Sequence, residues 1–127
     1  MQLQPFVQAG ALAFTLTAED IRRRWGAPQR EGRNEVALNE LDYGHTVLRF
    51  QDSGRLEEIT TRVPVLELGS VAVPFASLAA FVRAQDSEAF QRMRFTISPR
   101  FGLAFDPQEP PWLTFLAAHC LDEWRRL

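Results

Sequence analysis

The stretch that decides the fold is Phe14-Thr-Leu-Thr17-Ala-Glu-Asp20-Ile21-Arg-Arg-Arg-Trp25-Gly26-Ala-Pro28, followed by Tyr43-Gly44-His-Thr-Val-Leu48-Arg-Phe50 and Gly54-Arg-Leu56-Glu-Glu-Ile59. Thr17 is a strong N-cap and Asp20, three residues on, completes a capping box. Gly26 supplies the C′ position and Pro28 forbids continuation, so a helix over residues 18 to 25 is written at both ends. Ala18, Ile21 and Trp25 fall on one face, which predicts that Trp25 is buried beside a sheet, while Glu19 and the three arginines face solvent. Beyond it the period changes to two. Thr46, Leu48 and Phe50 alternate with His45, Val47 and Arg49, and Asp52-Ser-Gly54 is a hairpin connection with glycine for the left-handed position.

Outward from this unit, residues 5 to 16 read as two short extended pieces hinged at Gly10. Short runs at 36–38, 45–51, 55–62 and 65–68, divided by turn signals, form an antiparallel β-meander. Pro74 opens a second helix with a stripe of Phe75, Leu78, Phe81 and Val82, and Asp86 caps a brief third helical piece. Residues 94–97 and 103–105 make a further hairpin. From Pro111 onward, apolar residues at 113, 116, 117, 120, 121, 124 and 127 repeat by three and four, which predicts a long amphipathic C-terminal helix. The expected fold is a single compact α+β domain over residues 1–127, its meander packed against an N-terminal helix, a middle helix and that long terminal helix.

Composition removes several function classes. Net charge is −2, and all 14 positive side chains are arginine without a basic patch, so nucleic acid is not an expected partner. No apolar stretch is long enough for a membrane helix, and the N-terminus carries no signal-peptide pattern, so a soluble cytoplasmic protein is expected. One cysteine, Cys120, cannot form an internal disulfide, and its apolar neighbours predict a buried, reduced thiol.

Catalytic and cofactor chemistry is not expected. His45, His119 and Cys120 are too few for a familiar metal pattern, and His119 and Cys120, adjacent on a helix, would point about 100° apart. No nucleophile elbow or phosphate-binding glycine loop occurs. The chain therefore reads as non-enzymatic, with no metal and no cofactor. The feature left is charge: between residues 31 and 67 there are eight acids against four arginines. That acidic meander can steer a basic partner, and Glu40, Asp42, Tyr43, Glu57 and Glu58 are its candidate contacts.

The order Leu16-Thr17-x-x-Asp20-Ile21, Trp25-Gly26-x-Pro28, Tyr43-Gly44 and Gly54-x-Leu56-x-x-Ile59 resembles cytosolic immunity proteins of bacterial polymorphic-toxin and type VI secretion systems. The same helix, Gly-x-Pro and hairpin unit is similar to modules of outer-membrane assembly lipoproteins and β-lactamase inhibitory proteins, which are also binders. The resemblance covers under half of the chain. It implies a non-catalytic protein that binds and occludes a cognate toxin or effector. The alternative is a small cytoplasmic regulatory or adaptor domain that holds a metabolite in an aromatic pocket.

Overall fold

The computed structural model describes residues 1–127. Three two-residue strands, β1 (Leu3–Gln4), β2 (Gln8–Ala9) and β3 (Leu12–Ala13), form a small antiparallel sheet ahead of α1 (Ala18–Trp25). The capping box is present in full: Thr17 Oγ1 accepts from the Asp20 amide at 3.2 Å, and the Asp20 carboxylate accepts from the Thr17 amide at 2.9 Å. Gly26 takes φ +76° with ψ −158°, an extended left-handed turn-out rather than an αL cap. Ile21 is fully buried, but Trp25 is 37% exposed. The indole lies across the surface end of the helix, edge-on to Tyr43 at 5.1 Å and to His45 at 5.3 Å.

Next come β4 (Arg30–Arg33), β5 (Asn39–Asp42), β6 (Thr46–Phe50) and β7 (Leu56–Arg62), a four-stranded antiparallel meander. The chain then leaves this sheet for the hairpin β8 (Val65–Leu68) and β9 (Val71–Pro74), which runs into α2 (Phe75–Gln85). It returns as a second meander, β10 (Phe90–Arg92), β11 (Phe95–Ser98), β12 (Leu103–Phe105) and β13 (Trp112–Leu116). The last strands of the two meanders, β7 and β13, pair antiparallel over five residues each. The result is one eight-stranded sheet in the order β10-β11-β12-β13-β7-β6-β5-β4.

This architecture corrects the expected fold. The molecule is mostly antiparallel β with three short helices, and the long C-terminal helix does not form. Residues Trp112–Leu116 are instead a central strand, followed by a 3₁₀ turn at Ala118–Cys120 and the six-residue α3 (Leu121–Arg126). A central strand covered on both faces needs no alternation, so Leu113, Thr114, Phe115 and Leu116 are all buried and mimic a helical stripe. The helical piece expected after Asp86 is a turn leading into β10, and the run at 36–38 is the loop between β4 and β5.

One face of the large sheet carries the main core. Leu48, Ile59, Leu103 and Phe115 are fully buried there against Ile21, Leu78 and Val82 of the helices, with Leu3, Leu12 and Leu66 of the small sheets completing the cluster. On the opposite face the C-terminal segment covers only part of the sheet, packing Cys120, Leu121 and Trp124 on Ile97, Ala104 and Leu116. Trp124 meets Phe95 edge-on at 5.3 Å. The remaining half of that face, across β5, β6 and β7, stays open.

Candidate binding cleft

Alternation decides what the open face presents. Because Leu48, Phe50 and Ile59 point to the core, Arg49, Glu58 and Thr60 must point the other way, joined by Glu40 and Asp42 from β5 and Thr114 from β13. Arg49 is the hub. Its Nε donates to Glu40 at 2.9 Å, and its Nη1 donates to Thr60 Oγ1 at 2.8 Å and to Glu58 at 3.4 Å. Thr60 and Thr114 hydroxyls bond at 2.8 Å, and the indole N–H of Trp124 donates to Glu58 at 3.1 Å. Burial raises the Glu58 carboxyl above the ordinary glutamate range, and the Arg49 charge and the Trp124 bond offset this only in part.

Of these, Glu40, Arg49, Glu58 and Thr114 floor a cavity of about 540 Å³ between the β4–β5 loop and α3. Its lining has four carboxylates, from Glu35, Glu40, Glu58 and Glu123, against Arg33 and Arg49, so it favours cations. The rim is apolar: Val36 is 51% exposed and Met93 is 77% exposed. Both belong to turns with a non-glycine residue in the left-handed region, Ala37 at φ +64° beside Val36 and Met93 itself at φ +55°. Met93-Arg94 is a two-residue hairpin turn in which glycine is the ordinary occupant of the first position. Asn34 organises the other turn, its side-chain oxygen accepting from the amides of Val36 at 3.1 Å and Leu38 at 2.8 Å. Arg33 ties that loop to the next hairpin through a two-pronged pair with Asp52, at 2.6 and 3.1 Å. Those hydrogen bonds, with one from Asn39, hold the Asp52 carboxyl down to about 2.

The five residues expected as partner contacts divide. Glu40, Asp42 and Glu58 do lie on the open face, each facing an arginine: Asp42 pairs with Arg30 at 3.3 Å and the other two with Arg49. Tyr43 is on the other side, buried, with its hydroxyl donating to the Gly26 carbonyl at 2.8 Å. It locks the exit of α1. Glu57 is buried as well, beneath the C-terminal turn.

Arg49, Met93 and Trp124 were not singled out from sequence. The alternation around Leu48 already placed Arg49 opposite the core, whereas nothing local links Met93 to Val36, which only the sheet order brings to one rim.

Glu57 owes its position to a β-bulge. Arg49 pairs with Glu58 and Phe50 with Leu56, so Glu57 is the extra residue of β7 and both carboxylates turn toward the C-terminal segment. There the Cys120 thiol donates to Glu57 Oε2 at 2.6 Å, and His119 Nε2 meets Glu57 Oε1. Burial, followed by the hydrogen bond to Glu57 and its charge, pushes the Cys120 thiol far above its ordinary value. The thiol thus points at a carboxylate, not at an imidazole, and no activated thiolate results. The geometric reason for excluding a metal here, adjacent residues diverging on a helix, does not hold in a 3₁₀ turn that brings His119 and Cys120 to one carboxylate. No helix is long and apolar enough to cross a membrane. Comparison with protein-family models, with curated proteins and with solved structures finds no match to this chain.

Proposed function

We propose that this chain is a non-catalytic immunity protein that binds a cognate bacterial toxin or effector in the cytoplasm and occludes its active site. The observation that carries this reading is the cleft on the open sheet face, a polar floor built on Arg49 and rimmed by exposed Val36 and Met93. Protein-binding sites combine a few exposed apolar anchors with oriented charge, and an exposed methionine set in a left-handed turn has no role in the core. The excess of carboxylates in the lining suits a basic segment of the partner, such as the substrate-binding surface of a toxin that acts on nucleic acid or another anion. The order of helix, Gly-x-Pro and hairpin adds the resemblance to immunity proteins.

A second reading has one specific observation in its favour, since Phe95 and Trp124 line the same cavity and form an aromatic wall. A small cationic metabolite seated there would make the protein a regulatory domain.

Co-expression with a toxin encoded beside this gene separates the two. The immunity reading expects rescue of growth and a stable complex of the two purified proteins. Absence of a complex, together with saturable quenching of tryptophan fluorescence by a small organic cation, would move the assignment to the regulatory domain.

A further inference from the structure

The cluster under the C-terminal turn joins three kinds of donor: a carboxylate oxygen of Glu57, Nε2 of His119 and Sγ of Cys120, all within 4.8 Å of one another. Around a tetrahedral zinc ion, bonds of about 2.0–2.3 Å place neighbouring donors roughly 3.3–3.8 Å apart, so small rotations suffice to converge these three. We propose that Glu57, His119 and Cys120 form a zinc site, with a fourth position open to water.

Four features of the molecule support the assignment. Sulfur, imidazole nitrogen and carboxylate oxygen together are the donor set of a borderline-soft divalent ion, and three protein ligands leave one position free. The bulge in β7 spends an unpaired strand residue on aiming Glu57, which is 3% exposed, at residues 62 and 63 positions away in sequence. An adjoining cavity of about 330 Å³ reaches both Glu57 and Cys120, which provides an entry path and room for the fourth ligand. Glu58 and Glu123 line that same cavity and add negative charge.

The opposing group is Arg55, whose Nε lies 3.4 Å from Glu57. Its side chain is half-exposed and is free to turn to solvent when a cation takes its place. The proton balance is simple. The thiol proton now between Cys120 and Glu57 leaves to solvent as the sulfur–zinc bond forms, one proton released per ion bound at this ligand. The bound ion would clasp residues 119 and 120 to the bulge of β7, and so hold α3, one wall of the cleft, against the sheet.

The test uses the purified full chain, freed of metal by chelation and titrated with Co²⁺ as a spectroscopic stand-in for Zn²⁺. The site predicts one-to-one uptake with intense tetrahedral d–d bands and a near-ultraviolet thiolate-to-cobalt band, both bleached by added Zn²⁺. Zn²⁺ should also raise Tm, the stabilisation growing with the logarithm of its concentration relative to Kd. Cys120→Ser should abolish the thiolate band. His119→Gln, at a side chain one-third exposed and safe for folding, should weaken affinity more than about tenfold, since even outer-shell losses reach that size. His45→Gln should bind as the wild type does. No one-to-one uptake by the wild-type chain, or equal binding by His119→Gln and the wild type, would overturn the proposal whatever partner the cleft receives.

Discussion

Asp86→Ala tests how the second meander is fastened to α2. The carboxylate is 5% exposed just past the C-terminal end of the helix, and it accepts three hydrogen bonds: from the Ser98 hydroxyl at 2.7 Å, the Arg100 amide at 3.0 Å and the Glu88 amide at 3.0 Å. Ser98 is fully buried, so losing its acceptor leaves a hydroxyl short of a partner at about 1–3 kcal/mol, while the two amides belong to exposed residues and can rehydrate. With about 1 kcal/mol or less for each of those, the expected cost is roughly 2–4 kcal/mol. Asp86→Asn keeps the shape without the charge and should cost about half as much. Burial alone would raise this carboxyl, but the bonds from Ser98, Arg100 and Glu88 outweigh it and hold it below the ordinary aspartate value. Folding therefore favours the charged form. Its contribution is complete above the unfolded value of about 3.9 and is lost as pH falls through the lower folded value. Urea titrations at neutral pH and down to pH about 3 should show the gap between wild type and Asp86→Asn narrowing below pH about 4. A loss under about 1 kcal/mol for Asp86→Ala, or a gap unchanged across that pH range, would refute the reasoning.

Two further changes probe the elements around the sites. Trp25→Ala should cost about 1–2 kcal/mol in a denaturant titration, because a ring 37% exposed and held by edge contacts has less to lose than the 3–5 kcal/mol of a fully buried one. A loss above about 3 kcal/mol would restore the buried-face reading. Cys120 should react far more slowly with a bulky thiol reagent in the native state than after unfolding, since it is 3% exposed and its thiol is held protonated against Glu57. Rapid native-state labelling would contradict that environment.

The legible parts of this sequence are those whose signals are local. Thr17, Asp20 and Ile21 fixed one helix to the residue, and the hairpin at Asp52-Ser-Gly54 followed from its turn chemistry, with Gly54 at φ +92°. Residues 112–127 were not legible, because a strand covered on both faces loses its period of two, and Leu113, Leu116 and Ala117 join Cys120, Leu121 and Trp124 in a helical spacing. That misreading also hid the cluster at Glu57, since its geometry depends on the 3₁₀ turn and on a bulge with no sequence mark. On the open face, Glu40, Asp42 and Glu58 are legible as acids, but their pairing with Arg30 and Arg49 is a matter of strand register. Tyr43 illustrates the converse: an aromatic next to Asp42 in the acidic stretch reads as a surface contact, whereas in the fold it is buried and its hydroxyl donates to the Gly26 carbonyl.

Docking of the partner on the open face of the eight-stranded sheet is tested most directly by Met93→Gly. Glycine suits the left-handed φ of +55°, so the fold should keep or slightly gain stability. The variant removes an apolar side chain that is 77% exposed in the free protein and would be buried in the complex, worth about 2 kcal/mol or roughly 30-fold in Kd. Calorimetric titration against the cognate toxin should show that loss, with a faster dissociation rate by a kinetic binding assay and a Tm of the free protein no lower than the wild type's. Equal affinity of Met93→Gly and wild type would place the binding surface elsewhere and contradict the account.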